Sequence, residues 1–319
     1  MNLDRLPADA VLAANRISPY IRQTPLEHSP YFSEQTGANV WLKLENLQLT
    51  GSFKLRGAFN KLLSLTADQR GQGAVAASSG NHGAAVAWAM AQLKVAGMIF
   101  VPEQTSSVKV EAIRRAGVTV EFFGHDGLDT ELHAREYAHA KGMHYLSPYN
   151  DAAVIAGQGS CGVEIARQLN KVDALVVAVG GGGLVSGAGA FLRSAYPNLQ
   201  IIACQPVASA VMAESIQNGK ILDLPSAPTL SDGTAGGIEP GAITFELCQQ
   251  LVSQFVLISE EQIAAAMRDF IDAHHMLLEG AAGVALAGLR KKATELRGKS
   301  VVVIVCGANI SRESLKKIL

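Results

Sequence analysis

Short apolar runs rich in β-branched residues alternate along this chain with longer segments of helical periodicity. Most of the runs contain no polar residue, which is typical of strands buried on both faces of a parallel sheet. This alternation predicts an α/β fold of the doubly wound type. The predicted strands are Val40–Leu44, Gly73–Ala77, Gly97–Val101, Val118–Phe122, His144–Leu146, Leu175–Val179, Ile201–Cys204, Phe255–Ile258 and Val301–Val305.

This number of strands is large for one compact sheet in a chain of 319 residues, so we predict two sheets in two closely joined domains with a cleft between them. Ser259 and Gln262 have the spacing of a capping box and predict the start of a helix. The uncharged stretch Ala174–Leu192 is nearly long enough to cross a bilayer. Because it contains four consecutive glycines, a strand, a loop and a helix start explain it better.

The composition argues against several classes of function. Apolar residues make up 48% of the chain, charged residues 17%, and the formal net charge is −1. We therefore expect a globular protein without the basic excess that nucleic-acid or membrane-surface binding requires. The four cysteines are far apart, which indicates neither a disulfide framework nor a zinc site. The first residues lack a signal-peptide pattern, so we expect a cytoplasmic protein.

The first candidate for chemistry is Lys54, in the segment Thr50–Ala58. This segment follows a predicted strand and opens a predicted helix, so Lys54 lies in the first turn, where the helix dipole disfavours a cation. A lysine of lowered pKa at such a position could act as the amine nucleophile that Schiff-base formation needs. Taken alone, an ordinary solvated lysine is the better interpretation.

Two loops have the composition of anion sites. The loop Ser78–Gly83 joins a strand to a helix, and its small residues leave N–H groups that suit a carboxylate or a phosphate. An ordinary N-cap loop is an equally good interpretation. The loop Gly180–Gly183 follows the strongest strand candidate, and its amides could surround an anion. A flexible turn is the alternative, but four consecutive glycines have a high conformational entropy cost.

A dinucleotide-binding fingerprint also occurs, as Gly157-x-Gly159-x-x-Gly162. Its preceding strand is short and no acidic residue ends the next strand, so we interpret it as a chance match. The last candidate is Cys306, for which a small core residue is the better interpretation in isolation. Lys54, the two loops and Cys306 all follow the C-terminal ends of strands, where open α/β sheets bind ligands, so one shared site is predicted.

These motifs, in this order, resemble those of the serine/threonine dehydratases. The segment Ser52–Ala58, the loop Ser78–Gly83 and the glycines Gly180–Gly183 carry the resemblance, which covers nearly the whole chain. These dehydratases belong to the tryptophan-synthase-β-like group (fold type II) of pyridoxal-phosphate (PLP) enzymes, which also includes the serine racemases. The resemblance implies PLP as cofactor, bound in a cleft between two doubly wound open-sheet domains. The implied domains are a large PLP-binding domain of residues 1–50 and 149–319 and a small domain of residues 51–148.

The resemblance also implies roles for individual residues. Lys54 and Ser79 would be catalytic: Lys54 would hold the cofactor and later move the α-proton, and Ser79 would lie on the opposite face. The residues implied in cofactor binding are Phe53, Lys54, Asn81, Gly180, Gly181, Gly182, Gly183, Leu184, Glu279 and Cys306. The residues implied around the substrate carboxylate are Ser78, Ser79, Asn81 and His82.

Cys306 would lie beside the pyridine nitrogen of the cofactor. A thiol is a weak acid and should leave this nitrogen unprotonated, which gives a weaker electron sink than an aspartate would give. A weaker sink favours prompt loss of a β-leaving group over transamination. The expected reaction is therefore α,β-elimination, which converts a hydroxy amino acid to a 2-keto acid and ammonia.

The chain departs from the family at informative positions. Metal-activated relatives carry two carboxylates where Gln205 and Val211 stand here, with Ser209 between them, so we predict no divalent-cation site. The sequence ends at Leu319, and on that basis we expect no C-terminal regulatory domain. The loop Asp232–Gly237 has unusual residues on what is the substrate side in relatives, which leaves the substrate open.

Threonine or serine is the first expected substrate, and a homodimer is expected because relatives are often dimers. Several alternatives stay open. The enzyme could act on another hydroxy amino acid, such as phenylserine, 3-hydroxyaspartate or one derived from hydroxyectoine, or it could racemise serine. A PLP-binding protein without catalysis and a dinucleotide-binding enzyme are the alternatives from other classes.

Overall fold

The computed structural model describes residues 3–125 and 127–319. The strands in these residues are β1 (Leu26–His28), β2 (Asn39–Leu44), β3 (Ala74–Ala77), β4 (Gly97–Val101), β5 (Thr119–Phe122), β6 (His144–Tyr145), β7 (Ala174–Ala178), β8 (Gln200–Pro206), β9 (Gln254–Ile258) and β10 (Ser300–Val305). The helices are α1 (Leu6–Ile17), α2 (Pro30–Thr36), α3 (Lys54–Ser64), α4 (Ala67–Gly71), α5 (Asn81–Leu93), α6 (Ser107–Arg114), α7 (Gly127–Lys141), α8 (Ala152–Gln168), α9 (Gly183–Ala195), α10 (Val211–Gln217), α11 (Ile243–Leu251), α12 (Glu260–His274), α13 (Gly280–Lys291), α14 (Ala293–Leu296) and α15 (Arg312–Ile318).

The described strands form two sheets. One has the order β1-β2-β10-β7-β8-β9, in which β1 pairs antiparallel to β2 and the other neighbours pair in parallel. The other has the order β5-β4-β3-β6 and is parallel throughout. The central strands β3, β7 and β10 are buried along their whole length, because helices cover both faces of a parallel sheet. The predicted α/β class with two sheets is confirmed.

All the predicted strands are found, with ends that differ by at most two residues. The strand β1 is an addition that the pattern does not predict. It has only three residues, and two of them, Glu27 and His28, are polar and exposed. An edge strand of this length has no apolar run by which it could be recognised.

The glycine fingerprint lies inside α8, where its glycines allow neighbouring helices to approach closely. A β-carbon at Gly157 would lie 2.7 Å from the Arg56 carbonyl oxygen on α3, and one at Gly162 would lie 2.8 Å from the Ala188 carbonyl oxygen on α9. These glycines serve helix packing, which supports the interpretation of the fingerprint as a chance match.

Two further expectations are confirmed. The Ser259 hydroxyl accepts a hydrogen bond from Gln262 N at 3.4 Å, and Gln262 Oε1 accepts one from Ser259 N at 3.0 Å, which completes the capping box of α12. The uncharged stretch Ala174–Leu192 divides into β7, the glycine loop and the first part of α9. Among the described helices, none combines the length and the apolar character that crossing a bilayer requires.

The packing of α9 on α8 can be tested at Gly187. A β-carbon there would lie 2.2 Å from the Ile155 carbonyl oxygen and 2.6 Å from Gly159 N. We expect Gly187→Ala to force the helices apart and to lower the free energy of unfolding by about 1–3 kcal/mol in urea denaturation. Gly71→Ala is the matched control, because a β-carbon at Gly71 would contact nothing. An unchanged unfolding midpoint for Gly187→Ala would contradict the packing argument.

Candidate functional site

Lys54 is the first residue of α3 and follows a loop that is tied to the end of β10. Phe53 N donates a hydrogen bond to the Cys306 carbonyl oxygen at 3.1 Å. The Lys54 Nζ in turn donates to the Pro148 carbonyl oxygen at 2.9 Å. The amine therefore lies between the end of β10 in one sheet and the segment that follows β6 in the other.

Burial changes the chemistry of this amine. It lowers the pKa of Lys54 from 10.5 to about 8, although the negative charges of Glu131 and Glu279 oppose the shift. At neutral pH a far larger fraction of this lysine is uncharged than of an exposed one, as a nucleophile or a base requires. The Phe53 ring lies 5.3 Å from Lys54 Nζ and covers one side of it.

The loop Gly180–Gly183 bends between β7 and α9 and has no room for side chains. Gly182 has φ of +84°, and a β-carbon at Gly181 would lie 2.3 Å from the Tyr149 ring. Within the described residues, the amides of these four glycines donate to no backbone acceptor. Leu184, in the first turn of α9, is buried. Free amides at the start of a helix carry partial positive charge, so this bend can hold an anion.

The loop Ser78–Gly83 connects β3 to α5. Ser79 is partly exposed, and no described residue forms a hydrogen bond with its hydroxyl. His82 is buried, and its Nε2 lies 2.8 Å from the Leu146 carbonyl oxygen. Burial, with the nearby charge of Lys54, lowers the pKa of His82 to about 3. The ring is therefore neutral and donates to the carbonyl beneath the loop.

A hydrogen-bond network connects this loop to the end of β10. Asn81 Nδ2 lies 2.9 Å from both carboxylate oxygens of Glu279, and Asn309 Nδ2 donates to Asn81 Oδ1 at 2.6 Å. The Cys306 Sγ lies 3.9 Å from Glu279 Oε1. Burial raises the pKa of Glu279 to about 7 and also raises the pKa of the Cys306 thiol. Cys306 thus stays a neutral donor beside an acid that titrates near neutral pH.

The structure brings several of the predicted site residues together. The contacts above join Lys54, Cys306, Glu279 and Asn81, and Tyr149 links this group to the glycine loop. Sequence reasoning missed the segment Ser147–Asn150 and the amide of Asn309. The segment follows β6 as the other loops follow their strands, so the same rule about strand ends would have found it.

Gln205, Ser209 and Val211, the positions at which the sequence predicts no cation site, pack within the chain. Gln205 Oε1 accepts a hydrogen bond from Ala213 N at 2.8 Å, Ser209 Oγ lies 2.7 Å from Ser226 Oγ, and Val211 is buried. In residues 3–125 and 127–319, no group of three or more His, Cys, Asp or Glu side chains could hold a metal ion.

Comparisons with known proteins agree with this geometry. Residues 17–307 match the family model of the pyridoxal-phosphate dependent enzymes. The chain is 36% identical over 308 residues to the L-threonine ammonia-lyase of Geobacter sulfurreducens, which covers 96% of this chain and 76% of that protein. It is 38% identical over 298 residues to the catabolic L-threonine dehydratase of Staphylococcus aureus, with 92% and 86% of the two chains covered.

A solved structure shows the same fold. The processed form of threonine deaminase isoform 2 from Solanum lycopersicum superposes with a TM-score of 0.93 at 33% identity, covering 99% of this chain and 92% of that chain. The chain spans about half the length of the plant threonine dehydratases that it matches in sequence.

The effect of burial on Lys54 can be measured by NMR of protein labelled at the lysine ε-carbons and freed of bound ligands. Because burial lowers the pKa of Lys54, its signal should titrate near pH 8 rather than near the ordinary lysine value of 10.5. The signal that disappears in Lys54→Ala assigns the resonance. A midpoint for that signal near the ordinary value would contradict the burial argument.

Proposed function

The chain belongs to the family of pyridoxal-phosphate-dependent enzymes, and we propose that it is an ammonia-lyase that acts on a β-hydroxy amino acid. The observation that carries this proposal is the position of Lys54. Its half-buried amine donates to the Pro148 carbonyl after β6, and the preceding residue, Phe53, is hydrogen-bonded to Cys306 at the end of β10. Threonine and serine are the first candidate substrates, because the relatives are named for threonine.

The residues present fit PLP. The free amides of the glycine loop suit its phosphate, and the tight contact of Gly181 with Tyr149 keeps side chains out of that space. When bound, the cofactor supplies the electron sink that makes the α-proton of the substrate acidic. The residues that we assign to holding it are Phe53, Lys54, Asn81, Gly180, Gly181, Gly182, Gly183, Leu184, Glu279 and Cys306.

Side chains of the protein would remove the α-proton and hold the substrate carboxylate. Lys54 Nζ would remove the α-proton, since burial keeps a larger share of it uncharged. Ser78, Ser79 and Asn81 would hold the substrate carboxylate, with His82 beneath them. Loss of the α-proton and the β-hydroxyl removes one water from the substrate. Addition of one water to the product then releases ammonia and a 2-keto acid.

We also propose the division into a large domain, residues 1–50 and 149–319, and a small domain, residues 51–148. The sheet pairing supports it, because the strands of the larger sheet all come from the first set of residues and those of the smaller sheet from the second. A cytoplasmic location and a homodimer stay predictions.

The proposed function is tested by Lys54→Ala in protein purified with PLP. We expect the visible absorbance of the lysine-bound cofactor to disappear and release of keto acid from threonine or serine to fall by at least about 10²-fold. Lys220→Ala removes the same charge at an exposed position and should change neither signal. If the wild-type protein bound no PLP, or if Lys54→Ala kept its activity, the proposal would be wrong.

A further inference from the structure

A second group of polar side chains lies beside the Lys54 site and, apart from Tyr149, has no part in the roles assigned above. We call it the distal cluster. It combines charged residues of α7 and of the loop before α11 with two tyrosines near β6. Its members are Glu131, Arg135, Tyr145, Tyr149 and Glu239.

The distal cluster is continuous with the lysine site. The Lys54 amine donates to the carbonyl of Pro148, and the next residue is Tyr149. The Tyr149 hydroxyl accepts a hydrogen bond from Glu239 N at 2.9 Å, and Glu239 forms an ion pair with Arg135. The charges of Lys54 and Glu131 also act on each other, so the lysine site and the distal cluster share one electrostatic environment.

Both carboxylates of the cluster have acceptor oxygens with no hydrogen-bond partner among the described residues. Arg135 donates through Nη2 to Glu239, and its guanidinium lies 4.5 Å above the Tyr145 ring. Glu239 Oε1 is buried and has no hydrogen-bond partner. The Glu131 carboxylate accepts no hydrogen bond from the part of the chain that the structure describes. What these groups lack is a donor.

The charges of the cluster also favour binding of a cation. Two carboxylates and one guanidinium give one excess negative charge when all three are ionised. Burial raises the pKa of Glu131 to about 7, and the charge of Glu239 adds to the shift, while Arg135 and Lys54 oppose it. An additional cation at this position would stabilise the ionised carboxylate. An added anion would instead destabilise the ionised carboxylates.

We propose that the distal cluster binds an ammonium group at the end of the substrate side chain. The enzyme then prefers a β-hydroxy diamino acid, of the type of 2,4-diamino-3-hydroxybutanoate, to serine and threonine. An ammonium supplies both the missing donors and the missing positive charge. The inference rests on the proposed function, because the lysine site must hold the α-amino end of the same molecule.

The first test measures binding to the PLP-loaded enzyme by calorimetry with two ligands that lack the β-hydroxyl. L-2,4-diaminobutanoate carries the terminal ammonium and L-2-aminobutanoate does not. We expect the diamino ligand to bind at least about tenfold more tightly, or about 1.4 kcal/mol. In Glu131→Gln this ratio should fall towards one. Glu136→Gln removes an exposed charge from the same helix and should keep the ratio. Equal affinities in the wild type, or a ratio unchanged in Glu131→Gln, would overturn the proposal.

The second test compares kcat/KM for keto-acid release from 2,4-diamino-3-hydroxybutanoate, threonine, serine and 3-hydroxyaspartate. A preference for the diamino acid supports the inference. A preference for threonine or serine overturns it, and so does a preference for 3-hydroxyaspartate, which would make Arg135 the binding group. In both of these cases the ammonia-lyase function stands. Release of keto acid from none of the four compounds would instead overturn the proposed function itself.

Discussion

The arrangement of the site depends on a buried cluster of charges behind Lys54. The Arg56 guanidinium donates to Glu45 at 2.7 Å and to Glu164 at 2.7 Å, and Lys43 Nζ donates to Glu164 at 2.6 Å. Burial alone would raise the pKa of Glu45, but the charge of Arg56 outweighs it and the pKa is lowered. The two positive and two negative charges balance, and loss of one partner would leave a buried charge unpaired. The cluster thereby fixes α3, and with it the direction of Lys54, against β2 and α8.

The parallel sheets bring the other groups of the site next to this anchored helix. The ends of β2, β10 and β7 lie along one edge of the larger sheet, so Lys54, Cys306 and the glycine loop meet although they are far apart in sequence. The smaller sheet adds the Ser78–Gly83 loop and the segment after β6. Contacts from Lys54 to Pro148 and from Asn81 to Glu279 then join the two sheets across the cleft. The sheets and α3 thus fix the positions of the reactive groups, and the loops supply the groups that bind ligands.

The sequence was sufficient to predict what depends on local pattern. Buried strands, the capping box of α12 and the four motifs at strand ends could all be recognised, because each has a periodicity or a composition of its own. The distal cluster could not. Glu131 and Arg135 resemble any charged pair on a helix, and Glu239 resembles any loop carboxylate, until long-range packing places them beside Tyr149. The short strand β1 was missed for the same reason, since its pairing partner defines it.

The ionisable groups of the site lower the folding stability of the protein at neutral pH. Burial lowers the pKa of Lys54 to about 8, so stability is lost as the pH falls from 10.5 towards 8, where the unfolded chain takes up the proton first. Burial raises the pKa of Glu131 and of Glu279 to about 7, so stability is lost as the pH rises from 4.5 towards 7. At neutral pH both losses are nearly complete. The balanced charge cluster behind Arg56 and the apolar core must offset them, and ligands that bring complementary charge to the cleft relieve the same penalty.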